Sequence, residues 1–161
     1  MICHQCGKEH SVDEMELSFR RPDDAASLTQ EERERTVQEN NDLSIIAGKR
    51  FFIRGVLPLK VDAREHVYNI GLWVELNKTD FERVYELWEK PNQSKEPPFE
   101  ARIANSIPTL PDTICLTVVL QLTGAASRPQ VFVSPSSHPL YIEQTEGISE
   151  HRAHEYSSLF A

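Results

Sequence analysis

Residues 43–59 read Leu-Ser-Ile-Ile-Ala-Gly-Lys-Arg-Phe-Phe-Ile-Arg-Gly-Val-Leu-Pro-Leu, and this stretch decides the fold class. Leu43 to Ala47 and Arg50 to Leu59 carry the branched and aromatic residues typical of strands. Gly48-Lys49 between them predicts a turn. Pro58 has no backbone N–H, so the end of the second strand is predicted to lie near a sheet edge.

The rest of the chain adds strands and helices that do not strictly alternate. The predicted strands are Met15 to Phe19, Val67 to Leu76, Thr113 to Leu122 and Gln130 to Ser134. The predicted helices begin at the capping boxes Thr29-x-x-Glu32 and Thr79-x-x-Glu82, and a last helix runs from Ile148-Ser149-Glu150 to about Phe160. This pattern predicts an α+β fold with a mainly antiparallel sheet flanked by a few helices.

Alternation in the strand from Val67 to Leu76 places Tyr68, Ile70, Leu72 and Val74 on one side and Trp73 on the other.

Two further elements come with a predicted buried face. In the helix after Thr79, three- and four-residue spacing places four apolar side chains on one face, with Leu87 at its margin. They are Phe81, Val84, Tyr85 and Trp88. In the strand from Thr113, Ile114, Leu116, Val118 and Leu120 are expected to face the core, with Cys115 opposite.

The composition restricts the class of partner. The chain has 161 residues, which predicts one domain over residues 13–161 with residues 1–12 packed on it. Its formal charge of −8 argues against nucleic acid. An acidic balance is common among cytosolic proteins, and the alternative interpretation is an acidic face for a protein partner with a basic surface. Three cysteines cannot all pair, and neither a signal peptide nor a membrane-spanning stretch is visible. These features predict a soluble cytoplasmic protein.

The first residues predict a zinc knuckle. Cys3 and Cys6 are separated by two residues and Gly7 follows, so a tight turn would direct both thiolates at one tetrahedral zinc ion. His10 is close enough to be the third ligand. His138 is the expected fourth, with Cys115 as an alternative, although Cys115 is expected to be a small buried apolar residue. A structural zinc is therefore predicted at Cys3, Cys6, His10 and His138.

Other chemistry is not indicated. No strand precedes the Cys-x-x-Cys pair and Gly7 would break a helix, which argues against a redox motif. His151 and His154 share a helix face, but they are interpreted as surface histidines because the order typical of metalloproteases is missing. No nucleophile elbow or phosphate-binding loop is present. The residues nominate neither a nucleophile nor a general base.

The combination of landmarks resembles domain of unknown function family 2199, an uncharacterised bacterial family. The similar segments are Cys3-x-x-Cys6-Gly7-x-x-His10, Phe51 to Gly55, Gly71 to Val74, Tyr85 to Trp88, Pro97 to Phe99, Pro111 to Thr113, Arg128-Pro129, His138 to Leu140, Glu143-Gln144 and Gly147-Ile148. The usual pattern has an aromatic-glycine-tryptophan segment after the proline pair, where this chain has Phe99-Glu100-Ala101-Arg102. It also has Asp before His-Pro-Leu, where this chain has Ser137. The resemblance implies no particular activity.

Two hypotheses for the function follow. The favoured one is a small binding protein with a structural zinc and an unknown partner, for example an immunity-type inhibitor of a basic toxin. The alternative is a zinc-dependent enzyme in which water completes the coordination of Cys3, Cys6 and one histidine.

Overall fold

The computed structural model describes residues 15–160, and in this part of the chain a seven-stranded sheet is surrounded by short helices. The strands are β1 (Val37–Glu39), β2 (Leu43–Ile46), β3 (Arg50–Leu59), β4 (Tyr68–Leu76), β5 (Phe99–Ile103), β6 (Thr117–Gln121) and β7 (Gln130–Val133). The helices are α1 (Asp23–Ala26), α2 (Gln30–Thr36), α3 (Lys78–Leu87), α4 (Pro139–Glu146) and α5 (Glu150–Ser157), with a 3-10 turn at Gln93–Lys95. The predicted α+β class and mainly antiparallel sheet are confirmed.

Five of the strands close into a barrel. Each strand from β1 to β7 pairs antiparallel with the next, and β7 returns to pair in parallel with β3 through Val56 and Gln130. β3 therefore has two neighbours on one side: β2 along its first half and β7 further on. The barrel consists of β3 to β7, while β1 and β2 extend its wall.

Residues that alternate along the five strands fill the barrel. Gly55 faces inwards, since a Cβ there would lie 2.8 Å from Cγ2 of Val131 and 3.4 Å from Cδ1 of Leu120. The other inward-facing side chains are buried and follow from the register: Ile53, Leu57, Ile70, Leu72, Val74, Ala101, Ile103, Val118 and Val133. Branched side chains at every second position thus make the interior a packed core.

The outer face of the barrel is covered beside β4. Trp73 points away from Leu72 and Val74, as predicted, and its Nε1 donates to the carbonyl of Phe19 at 3.0 Å. Residues 17–19 run beside β4, where Ser18 bridges Gly71 in parallel. The alternation of Met15 to Phe19 is thus real, with Leu17 and Phe19 buried, although it forms a bridge and not a full strand.

The predicted turn between β2 and β3 is confirmed. Ala47 and Gly48 have φ angles of 55° and 65°, and the Lys49 N–H donates to the Ile46 carbonyl at 3.0 Å. Two left-handed residues match the twist of a tight hairpin, and glycine adopts that conformation without a Cβ penalty. Strand β3 extends through Pro58 as predicted.

The Thr113–Leu122 strand is shorter than predicted, because its first four residues form a turn. Cys115 has a φ of 66°, and the hydroxyl of Thr113 is buried between the Asn105 carbonyl and the Ile107 N–H. Ile114 and Cys115 are exposed, so their expected burial was wrong.

The two predicted capping boxes have different outcomes. Thr29 and Glu32 form the full reciprocal box, but the helix ends at Thr36, four residues before the expected end. The next helix begins two residues earlier than predicted, because Asn77 caps it by accepting from the N–H of Asp80 at 2.8 Å. Thr79 is therefore not the cap.

Candidate binding groove

Of the four predicted metal ligands, His138 alone lies within the described residues. Cys3, Cys6 and His10 lie outside the described residues, so their geometry stays a prediction. Within residues 15–160, no group of three histidine, cysteine or acidic side chains lies close enough to hold a metal ion. This finding does not test a site built from the first ten residues.

His138 caps α4. Its Nδ1 accepts the N–H of Leu140 at 3.0 Å, and its Nε2 lies 3.2 Å from the Pro111 carbonyl oxygen and 3.1 Å from that of Asp112. These partners favour the tautomer with the proton on Nε2. Coordination of zinc through Nε2 would require the loss of that proton and of both carbonyl contacts. The assignment of His138 as fourth ligand stays a prediction.

The alternative fourth ligand, Cys115, belongs to the same neighbourhood. It lies in the turn 111–116, against which the ring of His138 packs through the carbonyls of Pro111 and Asp112. The structure thus brings two predicted candidates to one turn. His151 and His154 lie on α5, where the Nε2 of His151 is 3.9 Å from Glu155.

A groove of about 610 Å³ lies between α3 and the part of the sheet formed by β1 and β2, and it is open to solvent. We call it the acidic groove. It is lined by Gln38, Glu39, Asn40, Leu43, Ile45, Phe51, Phe81, Glu82, Tyr85 and Glu86.

The sheet register explains one wall of the acidic groove. Gln38 is opposite Ile45 on the neighbouring strand, and Ile45 is opposite Phe51, so the three form a row across β1, β2 and β3. This row continues the inward face of the barrel beyond its closed part. Ile45 and Leu43 are half-buried because no strand or helix covers them completely.

Helix α3 makes the other wall. Phe81 is buried against Phe51, with ring centroids 5.2 Å apart. Val84 and Leu87 complete the buried face, whereas Tyr85 is 65% exposed. Tyr85 was expected to be in the core and Leu87 at its margin, and the structure reverses these positions. The tyrosine ring instead borders the groove.

The charges around the groove have one sign. Glu39, Glu82 and Glu86 line it, and no lysine or arginine does. Glu39 follows Gln38 in β1, so its side chain lies on the opposite face of the sheet, where it pairs with Arg21 at 2.9 Å. On the groove side, Lys78 lies 3.9 Å from Glu82 and Arg83 lies 3.4 Å from Glu86, while Arg83 also pairs with Glu96 at 2.5 Å. The pairs made by Glu82 and Glu86 are largely exposed and contribute little to stability. Their carboxylates can therefore exchange partners at low cost.

The groove offers an apolar floor, one exposed aromatic ring and the carboxylates of Glu82 and Glu86. Its volume is typical of a site that takes a small ligand or a few side chains.

Sequence reasoning did not find this groove. Its residues come from three separate segments, and only the register of β1 to β3 brings them together. The one available signal was the order Glu82-x-x-Tyr85-Glu86, which places an aromatic ring and two carboxylates on one side of a helix.

Comparison with known proteins identifies a family. The model of a family described as "Uncharacterized protein conserved in bacteria (DUF2199)" matches residues 2–148. Neither a curated protein nor a solved structure shows a significant match. Among the described residues, no helix has the length and apolar character needed to cross a membrane.

Proposed function

The chain belongs to the DUF2199 family, and from that premise we propose that it is a binding protein whose acidic groove holds a basic segment of a partner protein. The groove's floor of apolar side chains under a rim of carboxylates is the single observation that carries this proposal. The segment it fits has two adjacent apolar side chains flanked by lysine or arginine. An immunity-type inhibitor of a basic toxin is one form that such a protein can take.

The apolar half of the recognition comes from the floor. Phe51 and Phe81 fix its depth by packing on each other, and Ile45 and Leu43 still have surface left to bury. Tyr85 stands at the edge with most of its ring exposed. A ring held by a rigid helix loses little entropy on binding, which is why tyrosine is frequent at the centre of interfaces.

The charged half comes from Glu82 and Glu86, one helical turn apart on α3. Their present partners, Lys78 and Arg83, are exposed, and Arg83 keeps a second partner in Glu96, so a lysine or arginine of the partner protein can take their places beside Glu82 and Glu86. The net charge of −8 acts over a longer range and accelerates encounter with a basic surface.

A peptide experiment tests the proposal. Fluorescein-labelled Lys-Lys-Trp-Leu-Lys-Lys is titrated with the protein and anisotropy is recorded, with Glu-Glu-Trp-Leu-Glu-Glu as the control peptide. The double variant Glu82→Gln/Glu86→Gln should weaken the basic peptide about fivefold, equivalent to about 1 kcal/mol. Tyr85→Ala should weaken it by a similar or larger factor.

The matched control is Glu65→Gln/Glu100→Gln, which removes the same charge at two exposed positions outside the groove. It should leave the affinity within about twofold of the unaltered protein, since screening limits distant charges. Equal losses in the two double variants would reduce the effect to net charge and overturn the groove as the site.

We also propose the structural zinc at Cys3, Cys6, His10 and His138, where it would fix the first residues to the domain. The variant Cys3→Ser/Cys6→Ser should contain no zinc by elemental analysis. His138→Asn keeps a side chain that caps helices but removes the imidazole, so it separates the two roles of this residue. Full zinc occupancy in His138→Asn with unchanged affinity would remove His138 from the ligand set.

A further inference from the structure

A second groove is lined by residues 18–21 and by side chains of α1 and α2, and its charge is opposite to that of the acidic groove. It has a volume of about 620 Å³ and we call it the arginine groove. Its charged lining residues are Arg20, Arg21, Arg33 and Asp23, three positive groups against one negative. Its apolar lining includes Phe19, Ala26, Pro108 and Phe160.

The single carboxylate in the arginine groove is already occupied. Oδ1 of Asp23 accepts from Nδ2 of Asn105 at 3.0 Å, and Oδ2 accepts from the N–H of Ser106 at 2.8 Å. It therefore serves to join the start of α1 to the loop after β5. Neither oxygen has an arginine as a hydrogen-bond partner.

Two of the three arginines have no carboxylate partner among residues 15–160. Arg21 forms two contacts with Glu39, at 2.9 and 3.1 Å. Arg33 is held through one nitrogen, Nη1, which donates to the carbonyls of Ala25 and Leu28 at 3.1 and 3.0 Å. No described residue accepts a hydrogen bond from the side chain of Arg20, which is exposed. N–H groups of Arg20 and Arg33 are thus available to donate hydrogen bonds to a ligand, and the two carbonyl contacts of Nη1 already hold the guanidinium of Arg33 in one orientation.

The apolar part of the arginine groove contains an aromatic ring with a free face. Phe160 makes a T-shaped contact with the buried Phe19, with centroids 5.4 Å apart and ring planes at 84°. It nevertheless remains 62% exposed. A T-shaped contact uses at most one face of a ring, so a face of Phe160 is available for stacking.

We infer that the arginine groove binds a small organic anion with an aromatic ring. Arg20 and Arg33 hold the phosphate or carboxylate group of the ligand by charge-assisted hydrogen bonds, and the ring stacks on Phe160. This inference does not depend on the proposed function, because it uses neither Glu82, Glu86 nor Tyr85.

Titration calorimetry with defined probes tests the inference on the full chain. Phenyl phosphate and benzoate each combine an aromatic ring with an anionic group and show whether the groove prefers phosphate or carboxylate. Inorganic phosphate supplies an anionic group alone, and phenol supplies the ring alone. We expect phenyl phosphate or benzoate to bind more tightly than either inorganic phosphate or phenol. No binding of either, or equal affinity for phenyl phosphate and inorganic phosphate, would overturn the inference.

Three variants locate the site. Arg20→Gln should weaken the bound probe about fivefold without affecting folding, since its side chain has no described hydrogen bond to lose. Arg35→Gln is the matched control, because it removes the same charge from an exposed position on α2 outside the groove. Phe160→Ala should bring the affinity for phenyl phosphate down to that for inorganic phosphate. Equal effects of Arg20→Gln and Arg35→Gln would show a general charge effect and refute the assignment.

Discussion

Replacement of Gly55 by alanine should strain the closure of the barrel. The new Cβ would lie 2.8 Å from Cγ2 of Val131, which is fully buried, and 3.1 Å from the carbonyl oxygen of Pro129. That same oxygen accepts the N–H of Val56 at 2.9 Å, which is a hydrogen bond that ties β3 to the approach of β7. The added methyl group would therefore displace both the side chain of Val131 and the Pro129 carbonyl that accepts the hydrogen bond from Val56.

The magnitude of the Gly55→Ala effect follows from two opposing terms. Overpacking of a filled core costs about 1–3 kcal/mol. Alanine recovers about 0.5–1 kcal/mol of the conformational entropy that glycine loses in a strand. We expect a net loss of about 0.5–2 kcal/mol in the free energy of unfolding, measured from urea midpoints at constant slope.

A double-mutant cycle separates this clash from a general loss of stability. Val131→Ala removes the atom that meets the new Cβ, so the double variant should be more stable than the sum of the single effects by about 1 kcal/mol. Gly71→Ala is the comparison, because its Cβ would lie 2.8 Å from the hydroxyl of the exposed Ser18, which can rotate away at the loss of its hydrogen bond from Arg54. Additive effects of Gly55→Ala and Val131→Ala would refute the reasoning.

Three further outcomes are expected. Asn77→Ala should cost about 1 kcal/mol in chemical unfolding and Thr79→Ala much less, because Asn77 accepts the N–H of Asp80, one of the free donors in the first turn of α3; the reverse order would restore Thr79 as the cap. Burial raises the pKa of Tyr156 above its ordinary value of about 10. The contribution of the neutral phenol to the free energy of unfolding should therefore be fully present below about pH 10 and be lost as the pH rises further. Tyr156→Phe should reduce this loss in melting curves recorded at alkaline pH. Iodoacetamide should label the exposed Cys115 in the folded protein at the same rate with and without a chelator, as measured by peptide mass spectrometry. Labelling that occurs only after the chelator is added would identify Cys115 as a zinc ligand.

Local signals in the sequence predicted the centre of the sheet well. The turn at Gly48 and the branched residues on both sides of it have no competing conformation of similar energy, so β2 and β3 appear where expected. Alternation along β4 likewise placed Trp73 on the opposite side from Leu72. In both cases the chain's own preferences and its packing agree.

The failures occur where tertiary contacts override local preference. Strand-forming residues continue back from Thr117 to Thr113, but the hydroxyl of Thr113 satisfies two backbone groups of the preceding loop and bends the chain there. On α3, a three- or four-residue spacing fits both Tyr85 and Leu87 to one apolar face, and only the position of β3 decides between them. The acidic groove depends on the same long-range placement, which no local pattern records.

The parallel contact between Val56 and Gln130 also sets an order of events during synthesis of the chain. The hairpin of β3 and β4 leaves the ribosome well before β7 exists, and the second half of β3 then has an unpaired edge. Joining residues so far apart carries a loop-closure cost that neighbouring strands do not. The barrel is therefore closed late, and the nascent hairpin is the species in which this chain is most exposed to wrong strand pairing.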